Sequence, residues 1–179
     1  MNGLSLSPDG RRLAIPIMRD LQFAGVRVLD VARDRAIADG RLLEAPDPGC
    51  DLVQAEFQPR TGRLAAFERC VTPVSQGLAT PRFRLVYLDP DNGRLLARGF
   101  AFDDRWGSDL HVWTMDFDAS GRHLLYAVSS ADPMDFKEPS RPVGTWRSSN
   151  DGRPVRIDDD RTVGSGQTSQ HVTTGFPSW

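Results

Sequence analysis

Apolar and polar residues alternate along much of this chain with the period of two that a half-buried β-strand requires. Trp113, Met115 and Phe117 fall on one face, with Thr114 and Asp116 on the other; Val53, Ala55 and Phe57 stand in the same way against Gln54 and Glu56. Each such run meets a polar turn that ends in glycine, then a basic residue, then a second apolar run. The pattern occurs at 4–14, 54–65 and 114–125, with its turn glycines at Gly10, Gly62 and Gly121. A recurrence about every 50–60 residues is the signature of a repeated supersecondary unit. In the first copy Pro8 presets a φ of about −65°, Asp9 tolerates the next position, and Gly10 takes the positive φ that closes a bulged hairpin.

Two more strand-like runs follow each hairpin, at 26–31 and 41–44, at 83–88 and 94–100, and at 144–147 and 154–157. Asp89-Pro90-Asp91-Asn92-Gly93 joins the second pair and Asn150-Asp151-Gly152 the third. Four antiparallel strands per unit, with no helical periodicity between them, predict an all-β chain. The expected fold is a β-propeller segment over 1–179, with three four-stranded blades at about 4–44, 52–100 and 112–157. Residues 158–179 read as a loop, rich in Asp, Gly, Ser and Thr, plus the first strand of a further blade.

The run Ser7-Pro8-Asp9-Gly10-Arg11-Arg12-Leu13-Ala14, followed by Gly25-Val26-Arg27-Val28-Leu29-Asp30-Val31, resembles the TolB-like propeller repeat, a relative of the WD-type repeats. The third unit is similar in degenerate form, at Gly121-Arg122-His123-Leu124-Leu125-Tyr126 and Thr145-Trp146-Arg147 before Asp151-Gly152. The second unit departs from the pattern by one inserted turn residue and by Thr61-Gly62 in place of Asp-Gly. The resemblance covers nearly the whole chain. It implies the fold and is almost silent on function, because such repeats occur in protein-translocation partners and in accessory domains of peptidases.

The chain begins and ends in a first strand, and Trp179 takes the slot held by Leu6, Phe57 and Phe117. Three blades do not close a ring, since propellers use about four to eight. Two readings follow, a piece of a longer propeller or two copies of three blades each, and the extra terminal strand favours the first. Each residue of the Leu6 slot is expected to be buried beside its hairpin turn.

Composition narrows the function classes. The 179 residues carry a net charge of −2, so no global basic field points to nucleic acid or to an anionic membrane. Only Lys137 among 22 basic residues is lysine, which hints at a GC-rich coding sequence. No apolar stretch approaches the ~20 residues of a membrane span, and no signal-peptide pattern precedes Gly10. Localisation is therefore expected to be cytoplasmic if Met1 is the true start, and extracytoplasmic if a leader or anchor precedes it. Cys50 and Cys70 flank one predicted hairpin. Pairing Gln58 with Arg63 sets Asp51 opposite Cys70 and turns the two thiols to opposite faces, so the register favours free cysteines, with a bridge still geometrically conceivable.

Candidate chemistry is sparse. His111, His123 and His171 stand in no nucleophile elbow, Gly164-Ser165-Gly166 lacks the strand and helix of a phosphate cradle, and Asp89–Gly93 lacks the twelfth-position glutamate of a calcium loop. The expectation is a non-enzymatic scaffold with no cofactor and no metal site. In a propeller the loops between second and third strands, and those between blades, open on one face, and here these are the long ones, at 45–51, 69–82, 101–111 and 131–142. Within them Asp103, Asp104, Arg105, Trp106, Asp109 and His111 combine an aromatic, an arginine and three acids, a composition suited to a protein or peptide partner. The alternative for this loop is that Trp106 plugs the gap between blades. The alternative for the chain is an accessory or gating domain of a larger enzyme such as a peptidase.

Overall fold

The computed structural model describes residues 3–19, 22–71, 81–101, 110–130, 144–149 and 155–157. Among the described residues twelve strands form three antiparallel sheets of four, each a simple up-and-down meander. The first sheet holds β1 (Ser5–Leu6), β2 (Arg12–Arg19), β3 (Gln22–Asp30) and β4 (Arg41–Leu43). The second holds β5 (Cys50–Phe57), β6 (Leu64–Val71), β7 (Pro81–Leu88) and β8 (Leu95–Ala101). The third holds β9 (Leu110–Phe117), β10 (His123–Ser130), β11 (Gly144–Ser149) and β12 (Val155–Arg156). Among the described residues the one helical element is a 3-10 turn at Ile37–Asp39, held where the Arg27 guanidinium donates to the carbonyls of Ala38 and Gly40 at 2.9 and 2.8 Å.

The hairpin turns form as their sequences dictate. Gly10, Gly62 and Gly121 have φ of 69°, 66° and 68°, the left-handed region that glycine enters without a Cβ penalty. The extra residue of the second turn, Arg60, also has a positive φ, 69°. At Gly121 a second constraint applies. A Cβ there would lie 2.7 Å from the Pro59 carbonyl oxygen, so glycine lets one sheet's turn seat against the next. Gln58 Nε2 donates to Gly121 O at 2.7 Å in the same place.

The sheets pack face to face in chain order. Ala14, Val26, Val28 and Leu43 of the first meet Leu52, Ala55, Phe57, Leu64, Ala66, Val86 and Leu88 of the second. The opposite face of the second sheet, Val53, Ala65, Phe67, Phe83, Leu85 and Tyr87, meets Val112, Met115, Phe117, Leu124, Tyr126 and Val128 of the third. Phe67 meets Tyr126 edge to face at 5.3 Å, and Phe100 stacks on Tyr126 at 5.5 Å, a geometry aromatic quadrupoles favour. Strand β5 lies against β1, β2 and β3 on one side and β9 on the other. Arg12 adds an ion pair at 2.6 Å to Asp91, in the turn before β8.

Three expectations need correction. The strict alternation fails in β5 and β9, because the register shifts between Leu52 and Gln54 and again across Val112–Thr114. A β-bulge therefore falls at Val53 and at Trp113, each four residues before its phenylalanine. Val53 consequently packs on the third sheet, while Leu52 joins Ala55 and Phe57 toward the first. The same bulge sets Cys50 opposite Cys70, and the two form a disulfide rather than free thiols. Finally, the Leu6 slot is not uniformly buried. Phe57 and Phe117 are buried, but Leu6 is 56% exposed, because no described sheet packs on its side of the first sheet. Trp179 lies outside the described residues.

Candidate functional site

Antiparallel meanders send the C-terminal ends of β2, β4, β6, β8 and β10 to one end of their sheets. The described part of that end is the link between the first two sheets. It borders a cleft of about 220 Å³, lined by Ala24 and Gly25 of β3, by Glu44, Ala45 and the 47–49 link, and by Cys50, Asp51 and Leu52 of β5. Gly25 stands at φ 117°, and a Cβ there would lie 2.4 Å from Leu43 O, so only glycine permits this close approach of β3 to β4.

A network of two guanidinium and two carboxylate groups fixes the link. Glu68 is fully buried, and its carboxylate accepts from Arg84 Nε at 3.0 Å and from the Asp47 amide at 3.0 Å. Arg84 Nη2 bridges Glu68 and Asp47, and Arg98 Nη2 donates to Asp47 Oδ1 at 2.7 Å. Hydrogen bonds from Arg98 and then Arg84 hold the Asp47 carboxyl below its ordinary range. Burial disfavours the Arg84 charge, yet Glu68 and Asp47 outweigh it and raise its pKa. Buried charges persist only when paired in this way. Two guanidinium groups face two carboxyl groups in this network, and the Cys50–Cys70 bridge joins β5 to β6 beside it.

Cys50, Glu68 and Cys70 bring ligand atoms within 4.8 Å of one another. In this state they do not form a metal site, because the sulfurs are bonded to each other and Arg84 occupies Glu68. Asp89 and Asn92 likewise spend their side chains on the turn, accepting from the amides of Asp91 and Arg94 at 2.9 and 2.8 Å.

A second polar feature runs across the first strands. Ser5, Glu56 and Asp116 hold the same register position, opposite Ala14, Ala65 and Leu125. Ser5 Oγ accepts from the Phe57 amide at 2.8 Å and donates to the Glu56 carboxylate. Burial pushes Glu56 up to about 7, against the Ser5 hydrogen bond and with help from the Asp116 charge. Burial also raises Asp116, opposed by a hydrogen bond from the Phe117 amide. His123 is half-buried beside its turn, with Nδ1 2.9 Å from Asp118 Oδ2. Burial works against the Asp118 charge, but hydrogen bonds from His123 and Ser120 hold its pKa far below the usual range.

Of the residues nominated from sequence, Asp103, Asp104, Arg105, Trp106 and Asp109 lie outside the described residues. His111 sits on β9, where its backbone pairs with Ser129. The described residues that flank 103–109, Ala101 of β8 and Leu110 of β9, stand at the end of the sheets that carries the cleft. Sequence reasoning named the 45–51 link but missed Asp47, Glu68, Arg84 and Arg98. The one available signal was Glu68 and Arg84 interrupting apolar runs in two predicted strands. Comparison with family models, with curated proteins and with solved structures finds no match.

Proposed function

We propose that this chain is a section of a TolB-like β-propeller, a non-enzymatic scaffold that holds a protein or peptide partner at its long-loop end. The observation that supports the architecture is the position of β5, the second-sheet strand that lies against the first sheet, across β1, β2 and β3, and that also meets β9. First strands that neighbour one another, each leading outward through a four-stranded meander, match blades set around a common axis. The matching register of Ser5, Glu56 and Asp116 fits strands lining that axis. Recognition is supported by the cleft and its rim, since a binding surface held by a disulfide and an ionic network loses little entropy on binding. Arg98 pairs with Asp47 at this rim while keeping 41% of its side-chain surface in solvent.

A random-peptide display library panned on the immobilised chain tests the proposal. The expected result is enrichment of peptides whose binding falls at least tenfold in Trp106→Ala or Arg98→Ala and is unchanged in Ile37→Ala, which lies at the other end of the sheets. No enrichment, or binding indifferent to both substitutions, would remove this end as the partner surface.

A further inference from the structure

The two outermost sheet faces among the described residues are the two halves of one repeated interface. At both internal seams the Leu6-slot face of the later sheet packs on the opposite face of the earlier one. The first sheet offers the later-sheet half with nothing described on it: Leu6 is 56% exposed, and Leu13, Ile15 and Ile17 are half-buried. They stand where Phe57, Leu64 and Ala66, or Phe117, Leu124 and Tyr126, are buried in the other two sheets. The third sheet offers the earlier-sheet half. Leu125, Arg147 and Val155 form one cross-strand row there, with Ala127 beside it, and Val155 is 54% exposed.

We infer that these two faces dock on each other between two copies of the chain, head to tail. The inference rests on the stacked-blade reading and names a partner for it, a second copy. Continuity with the existing seams supports that occupant over an unrelated one, because both halves already have the register and the polar partner the contact needs. At the first seam Ser5 Oγ accepts the amide of Phe57. At the new seam Asp116 stands at the Ser5 position and Leu6 of the second copy at the Phe57 position. The ladder bond of β1 runs from Ser7 N to Arg12 O at 2.8 Å, so the Leu6 amide points away from β2 and is available to the Asp116 carboxylate. A head-to-tail contact forms a closed assembly only if its rotation closes, and otherwise gives a filament. Two copies of the 179-residue chain carry six blades between them, within the range propellers adopt, which lets the contact close through two identical seams.

Sedimentation velocity on the 179-residue chain tests this, with far-ultraviolet circular dichroism as the check on folding. The expected species has twice the 19.8 kDa chain mass. Leu6→Arg and Val155→Arg, at exposed positions on separate sheets, should each give a folded monomer. Mixing these two variants should restore a dimer, because one of its two seams is then wild type on both sides. A folded monomer of the parent chain, an open-ended polymer, or a dimer that survives Leu6→Arg would overturn the docking. None of these outcomes touches the order of sheets within one copy, which the label distances described below address separately.

Discussion

At the scale of single residues, the Leu6 slot separates burial from sequence pattern. Phe117 is buried between the second and third sheets, and Leu6 holds the equivalent position with over half its surface in water. Phe117→Ala should therefore lower stability by about 3–5 kcal/mol through lost burial and a cavity. Leu6→Ala should cost less than about 1 kcal/mol when measured on monomer. Chemical denaturation midpoints of both variants check the contrast, and equal losses would contradict the packing order. Glu56 provides a pH test at the same scale. Its pKa is raised from 4.5 to about 7 in the folded protein, where Ser5 and Asp116 face it. The folded state thus keeps a proton that the unfolded chain releases near 4.5. Stability from this group is full below that pH and is lost as pH rises through about 7. Glu56→Gln keeps the shape and removes the titration, so it should match the parent at pH 4 and exceed it by roughly 1–3 kcal/mol at pH 8. Parallel stability profiles for the two proteins would show that Glu56 does not carry the slope.

At the scale of elements, the bulges in β5 and β9 do most to shape the candidate site. One extra residue at Val53 rotates everything before it by a face, and Cys50 swings opposite Cys70 as a result. The disulfide closes a loop with a sequence separation of 20, for which chain entropy gives about 3 kcal/mol. Thiol titration of the native protein should find no reactive group at Cys50 or Cys70. The Cys50→Ala, Cys70→Ala double variant should lose about that much stability and become indifferent to reductant. Two titratable thiols in the untreated native protein would contradict the bridge. These elements also show what was legible in the sequence. The turns were, because Gly10, Gly62, Gly93 and Gly121 mark positions whose positive φ suits glycine. The four strands per unit were, because alternation and turn residues bound them. The bulges were not, since Val53 and Trp113 are ordinary strand residues with no glycine to signal a kink. The ionic network was not legible either. Asp47, Glu68, Arg84 and Arg98 are spread across a link and three strands, and only the final register brings their charges together.

At the scale of the whole molecule, three meanders share two apolar seams, and the outward faces of the end sheets remain half exposed. The repeat explains why both seams use the same slots, and the glycine at Gly121 explains how closely the turns approach. In the propeller arrangement proposed above, the first strands converge and the fourth strands diverge, as blades around an axis do. Pulsed electron spin resonance on labelled chain, diluted with unlabelled chain, measures this directly. One label pair, at Asp9 and Ala119, sits in the turns beside β1 and β9; the other, at Arg41 and Ile157, marks the outer strands β4 and β12 of the same two sheets. Blades around an axis give a short distance for the first pair and a clearly longer one for the second. Equal distances, as in sheets stacked in parallel layers, or a longer distance for the inner pair, would contradict that arrangement.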